Sequence, residues 1–369
     1  ATLGTSNWIL GNQLVSGFFP NKIPNPDLKW ERTGQFDIGL DLGLFNNRLR
    51  ITTDYYKKKT TDLLYSVAVP ATSGYQTMLK NIGSIENQGY ELSIESDNLT
   101  GAFSWTTAFN IAFNRNKVLE LGGEEYKEMA EGDGHLKTGS VRRLIVGEPI
   151  GVFYGYRFDG IFQNEEECKQ QTSSASPIGV GLRRYKDLNG DGKVDAANDR
   201  EILGDANPKF FGGLTNTFAY KGFELNVFLQ YSYGNKILNY NAMELENPTG
   251  GQNAYADMVN RWTPENPSNI YPKATTNRAL LVSDRFIEDG SYLKLKTLSL
   301  SYSFPKINLK HIQGLRLYVT GQNLLTWTKY RGYDPEVSYR GASTLEAGED
   351  FGGYPQSRTF MFGIKLDIK

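Results

Sequence analysis

The stretch Asp187-Leu188-Asn189-Gly190-Asp191-Gly192-Lys193-Val194-Asp195 sets oxygen-bearing side chains at positions 187, 189, 191 and 195, with glycine where the chain must turn sharply. Hard cations such as Ca2+ need several oxygen ligands at once, and calcium loops supply them from alternate positions around such a glycine. Asp187, Asn189, Asp191 and Asp195 fit that spacing, and Lys193 would lend its backbone carbonyl. The closing position, where a glutamate is usual, holds Asn198; Asp199 follows one residue later and closes the site only if the loop bulges. The spacing predicts a structural Ca2+ site built from Asp187, Asn189, Asp191, Lys193, Asp195 and Asp199. The competing reading is a bare acidic turn.

Other chemistry is sparse. The two histidines, His135 and His311, are far apart in sequence, and no Gly-x-Ser-x-Gly, His-Glu-x-x-His or phosphate-cradling glycine loop occurs. Glu124-Glu125 and Glu165-Glu166-Glu167 lie in polar stretches and read as solvated charge. An enzymatic reading therefore has no motif behind it. Cys168 is the single cysteine, so no intrachain disulfide forms, and it reads as a surface thiol in a polar loop. With 40 Lys+Arg against 41 Asp+Glu, no basic excess marks a nucleic-acid partner.

The elements that must position that loop are strands. Period-2 alternation recurs: Phe103, Trp105, Thr107, Phe109, Ile111 and Phe113 share one face, and Ser104, Thr106, Ala108, Asn110, Ala112 and Asn114 the other. About eleven such runs occur, roughly 32–44, 48–60, 83–97, 101–115, 137–147, 150–162, 208–220, 222–235, 289–304, 314–327 and 356–369. Leu293 and Leu295 lie on one phase and Leu298, Leu300 and Tyr302 on the other, which predicts a β-bulge near Thr297.

The connections alternate in length. Short ones (45–48, 98–101, 147–150, 220–222 and the somewhat longer 305–313) separate long ones (about 61–82, 116–136, 163–207, 236–288 and 328–355). Antiparallel strands put alternate connections at opposite ends, so short turns gather at one end and long loops at the other, as in outer-membrane barrels. No run of about 18 apolar residues exists for a transmembrane helix, whereas barrel strands turn only every second residue to lipid. Phe223 near a turn, and Tyr231 and Tyr233 near a loop, fit interface girdles. Sandwich core is the alternative for these aromatics. Counting back from a descending last strand, 1–31 is expected in an extracellular loop, ahead of a barrel region over 32–369. An odd strand number with open edges cannot close in lipid, so strands from elsewhere are required. Ala1-Thr2-Leu3 has neither the charged nor the apolar region of a signal peptide, as fits a mature chain, a processed chain or a fragment.

Asn25-Pro26-Asp27-Leu28-Lys29-Trp30-Glu31, Asn81-Ile82-Gly83-Ser84-Ile85-Glu86-Asn87-Gln88-Gly89-Tyr90-Glu91-Leu92, Phe153-Tyr154-Gly155-Tyr156, Tyr292-Leu293-Lys294-Leu295-Lys296 and Gly332-Tyr333-Asp334-Pro335-Glu336 stand in order along the chain. Together with Asp187–Gly192 they resemble segments of SusC/RagA-like TonB-dependent outer-membrane transporters. The resemblance implies an all-β fold: an antiparallel transmembrane barrel of about 22 strands, of which this chain is the C-terminal half, its plug absent. It implies import of an oligosaccharide or peptide across the outer membrane of a Gram-negative bacterium. Its implied partners are a SusD-like lipoprotein lid, TonB through the missing N-terminal part, the N-terminal half of the barrel, and outer-membrane lipid. Under that reading Tyr240, Tyr255, Trp262, Trp327, Tyr330, Tyr333 and Tyr339 are candidates to stack on cargo in the loops. Loop-to-loop packing or a girdle role is the alternative for them, and an extracellular carbohydrate-binding or adhesive β protein is the alternative for the whole chain.

Overall fold

The computed structural model describes residues 2–75, 77–129, 132, 135–136, 138–247, 253–276, 280–304, 312–341 and 343–368. Its main element is one antiparallel sheet of nine strands: β1 Arg32–Leu44, β2 Leu49–Thr61, β3 Ser84–Thr100, β4 Phe103–Glu120, β5 Phe210–Tyr220, β6 Phe223–Tyr233, β7 Tyr292–Ser303, β8 Ile312–Thr328 and β9 Thr359–Ile368. Sequential strands are neighbours throughout, and the sheet is open, with β1 and β9 at its edges.

Register turns the alternation into two faces. Leu42, Ile51, Ile94, Phe109, Leu214, Leu229, Leu295 and Leu325 form one apolar row across β1 to β8. The adjoining row, on the opposite face, reads Asp41, Thr52, Ser93, Asn110, Gly213, Gln230, Lys294 and Thr326. The apolar face is uncovered: Phe36, Ile38, Phe360 and Phe362 are all exposed. Such a surface is unstable in water and stable against hydrocarbon, where paired strands leave no ladder group unsatisfied.

The predicted bulge is present. Against β6, two residues of β7 from Leu295 to Thr297 face a single step, which leaves Lys296 as the extra residue; against β8 the extra residue lies on β8, between Gln322 and Leu325. The short turns have the expected chemistry: Lys221 and Gly222 both take positive φ (44° and 88°), the backbone twist that lets two residues close a hairpin. Loop lengths segregate as expected except at 147–150, which is no turn between wall strands but lies inside a single long connection, 121–209, that takes in most of the expected loop 116–136 and all of 163–207. Turns 45–48, 101–102 and 221–222 lie at one end, and connections 62–83, 121–209, 234–291 and 329–358 at the other. The remaining turn-end connection falls mostly on 305–311, outside the described residues.

Three expectations need correction. Runs 137–147 and 150–162 are not wall strands. They contribute Arg142–Ile145, Val152–Tyr156 and Phe158–Ile161, and the first two join Tyr126–Glu128 and Arg200–Gly204 in a separate four-stranded sheet within the 121–209 connection. Arg142, Arg143, Val152 and Phe153 are all buried, so both faces of these segments meet protein and neither can meet lipid. The wall among the described residues therefore has nine strands, not eleven; the loss of an even number leaves every strand direction as inferred. Residues 1–31, expected in a loop, carry a hairpin of their own. Thr2–Leu10 pairs with Gln13–Ile23 through Gly11 and Asn12, both at positive φ, in a hairpin outside the nine-stranded sheet.

Buried hydrophobic core lies in the loops rather than the wall. Leu136, Val141, Phe153, Leu238, Tyr240, Ala242, Met243, Leu280, Val282 and Phe286 form one cluster drawn from the 121–209 and 234–291 connections, with Phe351 of the 329–358 connection packed against it. A short three-stranded patch, Lys236–Asn239 with Ile287–Asp289 and Glu349–Asp350, ties two of these loops together. The long connections thus form a packed layer over one end of the wall.

Candidate functional site

The polar face meets the loop layer at a charged cluster. Lys294, on β7 and only 1% exposed, donates to Asp334 Oδ1 and Glu336 Oε2, each at 2.6 Å. Lys296 reaches the same Glu336 oxygen at 2.7 Å. The bulge makes this possible: the extra residue places a second ammonium on the polar face beside the first. Gln230 Nε2 and the Tyr292 hydroxyl both donate to Glu336 Oε1 at 3.2 Å. Burial pushes the Glu336 carboxyl upward, but the hydrogen bonds and charge of Lys294 and Lys296 outweigh it, leaving its pKa below the ordinary range. A buried ammonium is tolerated only when it is paired and its protons are taken up. The segment Gly332–Glu336 therefore anchors the last long loop onto the wall.

Two further clusters brace the layer. Arg142, 2% exposed, donates to Glu349 Oε1 at 2.8 Å and to the carbonyls of Gly151 and Ala347, while its guanidinium lies over the Phe153 ring. Glu246, fully buried, takes Arg285 at 2.7 Å and Arg331 at 2.9 Å, and Arg331 also holds Glu288 at 2.8 Å. These pairs join the 121–209, 234–291 and 329–358 connections. The sequence reading missed them all. For Lys294 a signal existed, a lysine between Leu293 and Leu295 in a strand whose other alternate positions are mostly small and uncharged; Arg142, Glu246 and Glu349 carried none.

The candidate cargo aromatics divide. Tyr240 is fully buried, donates to Glu349 Oε2 at 3.2 Å and packs edge-on to Phe351. Tyr330 is buried and its hydroxyl bonds Asp350; burial, then that carboxylate, pushes its pKa well up. Both are core, because a large ring with a satisfied hydroxyl is worth more inside the layer than on it. Neither ring can stack on a ligand in this arrangement. Tyr255 packs half-buried against the core, and Trp262 donates from Nε1 to Gln163 Oε1 at 3.0 Å. Tyr333 is 74% exposed and Tyr339 42% exposed, the latter edge-on to Phe351. Trp327 stands exposed on the apolar face of β8, opposite Leu293, a girdle position rather than a cargo position.

The 187–199 loop is wound by its own side chains. Asp187 accepts from the amides of Gly190 and Gly192 at 2.7 Å each, Asn189 Oδ1 from Asp191, and Asp191 Oδ1 from Lys193. Asp195 accepts from Ala197 and Asn198, and the Lys193 ammonium sits 3.1 Å from its other oxygen. The Asn198 amide first, then Lys193, hold the Asp195 carboxyl below the ordinary range. Asp199, fully buried, spends both oxygens at 2.7 Å on the amides of Leu188 and Asp195, tying the loop's two ends together. Among the described residues no three carboxylate, histidine or cysteine side chains stand together as a metal cage. The donor spacing thus fits a cation only in part: Asp187, Asn189, Asp191 and Asp195 lie on the rim, and Asp199 works as a structural clasp. Cys168 lies nearby in the short helix Glu165–Lys169, and burial, then Glu165 and Glu167, raise its thiol pKa.

Residues 3–324 match the family model described as TonB dependent receptor-like, beta-barrel. The chain belongs to the TonB-dependent receptor family. TonB-dependent receptor P3 of Formosa agariphila is 40% identical over 97% of this chain and 36% of its own length. TonB-dependent receptor SusC of Bacteroides thetaiotaomicron is 30% identical over 94% of this chain and 33% of its own. The solved structure of the RagAB peptide transporter superposes with TM-score 0.78 at 27% identity, covering 99% of this chain and 38% of that one. The chain therefore spans about a third of the length of the relatives it matches, and within that span it is a SusC-like barrel segment.

Proposed function

We propose that this chain is a wall segment, with its loop layer, of an outer-membrane importer that takes up an oligosaccharide or a peptide by a TonB-dependent mechanism. The observation that carries this reading is the pair of rows across β1 to β8, one wholly apolar and uncovered, its neighbour polar or small. A sheet with one face for lipid and the other for water is the wall of an aqueous passage. The loop layer then stands at the extracellular mouth, where a SusD-like lipoprotein would close over it and where Tyr333 and Tyr339 offer exposed rings to cargo. Uptake of labelled oligosaccharides and labelled peptides by cells carrying or lacking the intact transporter tests this. Loss of uptake of one cargo class supports the reading. Recovery of the intact protein from the soluble fraction without detergent overturns it.

For the 187–199 loop we propose a structural Ca2+ held by the side chains of Asp187, Asn189, Asp191 and Asp195 and the Lys193 carbonyl, with Asp199 as clasp. The support is the donor spacing alone. Binding has to displace the Lys193 ammonium from Asp195. Titration calorimetry of the intact protein with CaCl2 decides: heat and a raised melting temperature support the site, and neither overturns it.

A further inference from the structure

The uncovered face differs between its two ends. At the loop end, the position two residues beyond a girdle aromatic is basic at four places: inside the strand for Tyr55 and Lys57 and for Phe113 and Arg115, and just past the strand end for Trp327 and Lys329 and for Phe360 and Arg358. Within β2 and β4 a spacing of two keeps Lys57 and Arg115 on the same face as their rings, and Lys329 lines one groove with Trp327. The cations reinforce one another across strands. Lys57, Gln88 and Arg115 form one cross-strand row, and Lys59, Glu86 and Lys117 the next. Glu86 is the acidic group within these rows, paired with Lys57 at 3.1 Å, so four cations surround one carboxylate. Nearby, Asp62 is taken by Arg32, and Asp289 by Ser291 with Lys236 and Lys329 close. Lys59, Lys117, Lys329 and Arg358 have no ion pair among the described residues. At the turn end the outward positions are Leu44, Leu49, Ser96, Phe103, Tyr220, Phe223, Tyr302 and Leu366, and none is charged.

Beside Lys329 the same face opens into a groove of about 550 Å³ whose lining includes Phe210, Tyr231, Tyr233, Leu293 and Trp327. A mostly apolar groove whose rim carries Lys329, with the Asp289 carboxylate there taken up by Ser291, matches an acyl chain below an anionic head. We infer that this belt binds a phosphate-bearing lipid of the outer leaflet: the phosphates lie on Lys59, Arg115, Lys117 and Lys329, and an acyl chain lies in the groove. Ammonium and guanidinium groups bind phosphate through charge-assisted hydrogen bonds, and the low dielectric beside hydrocarbon strengthens them. Basic clusters next to the membrane are drawn to anionic lipid heads for the same reason. Confinement of the cations to one end fits an asymmetric bilayer whose phosphorylated glycolipid lies in one leaflet.

This inference rests on the wall facing lipid. The intact transporter, extracted in detergent, is to be mixed with diphosphoryl lipid A, with its dephosphorylated counterpart, or with inorganic phosphate, and examined by native mass spectrometry and thermal melting. Diphosphoryl lipid A is expected to be retained and to raise the melting temperature. A Lys59→Gln/Arg115→Gln/Lys117→Gln/Lys329→Gln variant should retain at least tenfold less, Lys59→Arg/Lys117→Arg should retain it as the parent does, and Lys221→Gln at the turn end should change nothing. Equal retention by the fourfold variant or of the dephosphorylated lipid overturns the inference. So does the same shift from inorganic phosphate alone. Detergent-free extraction would instead overturn the membrane reading beneath it.

Discussion

Lys294 Nζ donates to Asp334 Oδ1 at 2.6 Å across 40 residues of chain, and so joins a strand of the wall to the last long loop. With Lys294 almost wholly buried, losing Asp334 leaves it only Glu336, whose oxygen Lys296 shares. Asp334→Ala should therefore destabilise the protein by about 1 to 3 kcal/mol. A Lys294→Met/Asp334→Leu double substitution should recover most of that loss, because replacing both ions by apolar groups removes the desolvation cost along with the attraction. Thermal melting of the two variants in detergent checks the order; a double variant as unstable as the single one would show that the pair is not what anchors the loop.

Acid should loosen the same anchor. Glu336 has a folded-state pKa below its ordinary value of 4.5. A depressed carboxylate contributes stability that is present above its unfolded pKa and lost as pH falls through the folded one. Melting temperature should thus hold above about pH 5 and drop below 4.5, with part of the drop absent in Glu336→Gln. Melts of parent and variant across that window test it; parallel curves would assign the acid sensitivity to other carboxylates.

Strand alternation was legible because lipid and lumen impose opposite polarity on adjacent residues. Leu42, Ile51 and Ile94 announce their face without any structure. The loop-layer segments around Arg142 and Phe153 misled for a related reason. They too are extended, but protein covers both sides, and short runs do not record which solvent their faces meet. The hairpin at Gly11-Asn12 escaped because Trp8-Ile9-Leu10 breaks the alternation, although the turn residues themselves were in view. The calcium spacing was legible as a loop, yet the inward turn of Asp199 toward two amides depends on burial by neighbours distant in sequence.

Tyr240 and Tyr333 should separate stability from cargo contact. Tyr240→Ala removes a fully buried ring and should cost about 3 to 5 kcal/mol, lowering the amount of folded transporter. Tyr333→Ala/Tyr339→Ala touches exposed rings and should leave the melting temperature within about 2 °C of the parent, while reducing uptake of the cargo severalfold, as loss of ring stacking does. Uptake normalised to folded protein in the membrane distinguishes the two. Undiminished uptake in the double variant would remove both tyrosines from the cargo site.

Deleting Lys296 offers the sharpest test of the wall. The bulge is what lets Leu293 and Leu295 share the apolar face with Leu298 and Leu300 despite opposite phases in sequence. Without the extra residue, β7 must either turn Leu293 and Leu295 to the polar face or turn Leu298, Leu300 and Tyr302 there, since a one-residue slip reverses every side chain. The first choice also swings Lys294 to the lipid face at girdle level, away from Asp334 and Glu336. Both choices break the Lys294–Asp334 anchor or the apolar row, so the deletion should abolish heat-resistant folded barrel in detergent, whereas Lys296→Ser, which keeps the bulge and loses one ion pair to Glu336, should retain it. A folded deletion variant with unchanged melting would mean that β7 does not carry lipid on one face and water on the other.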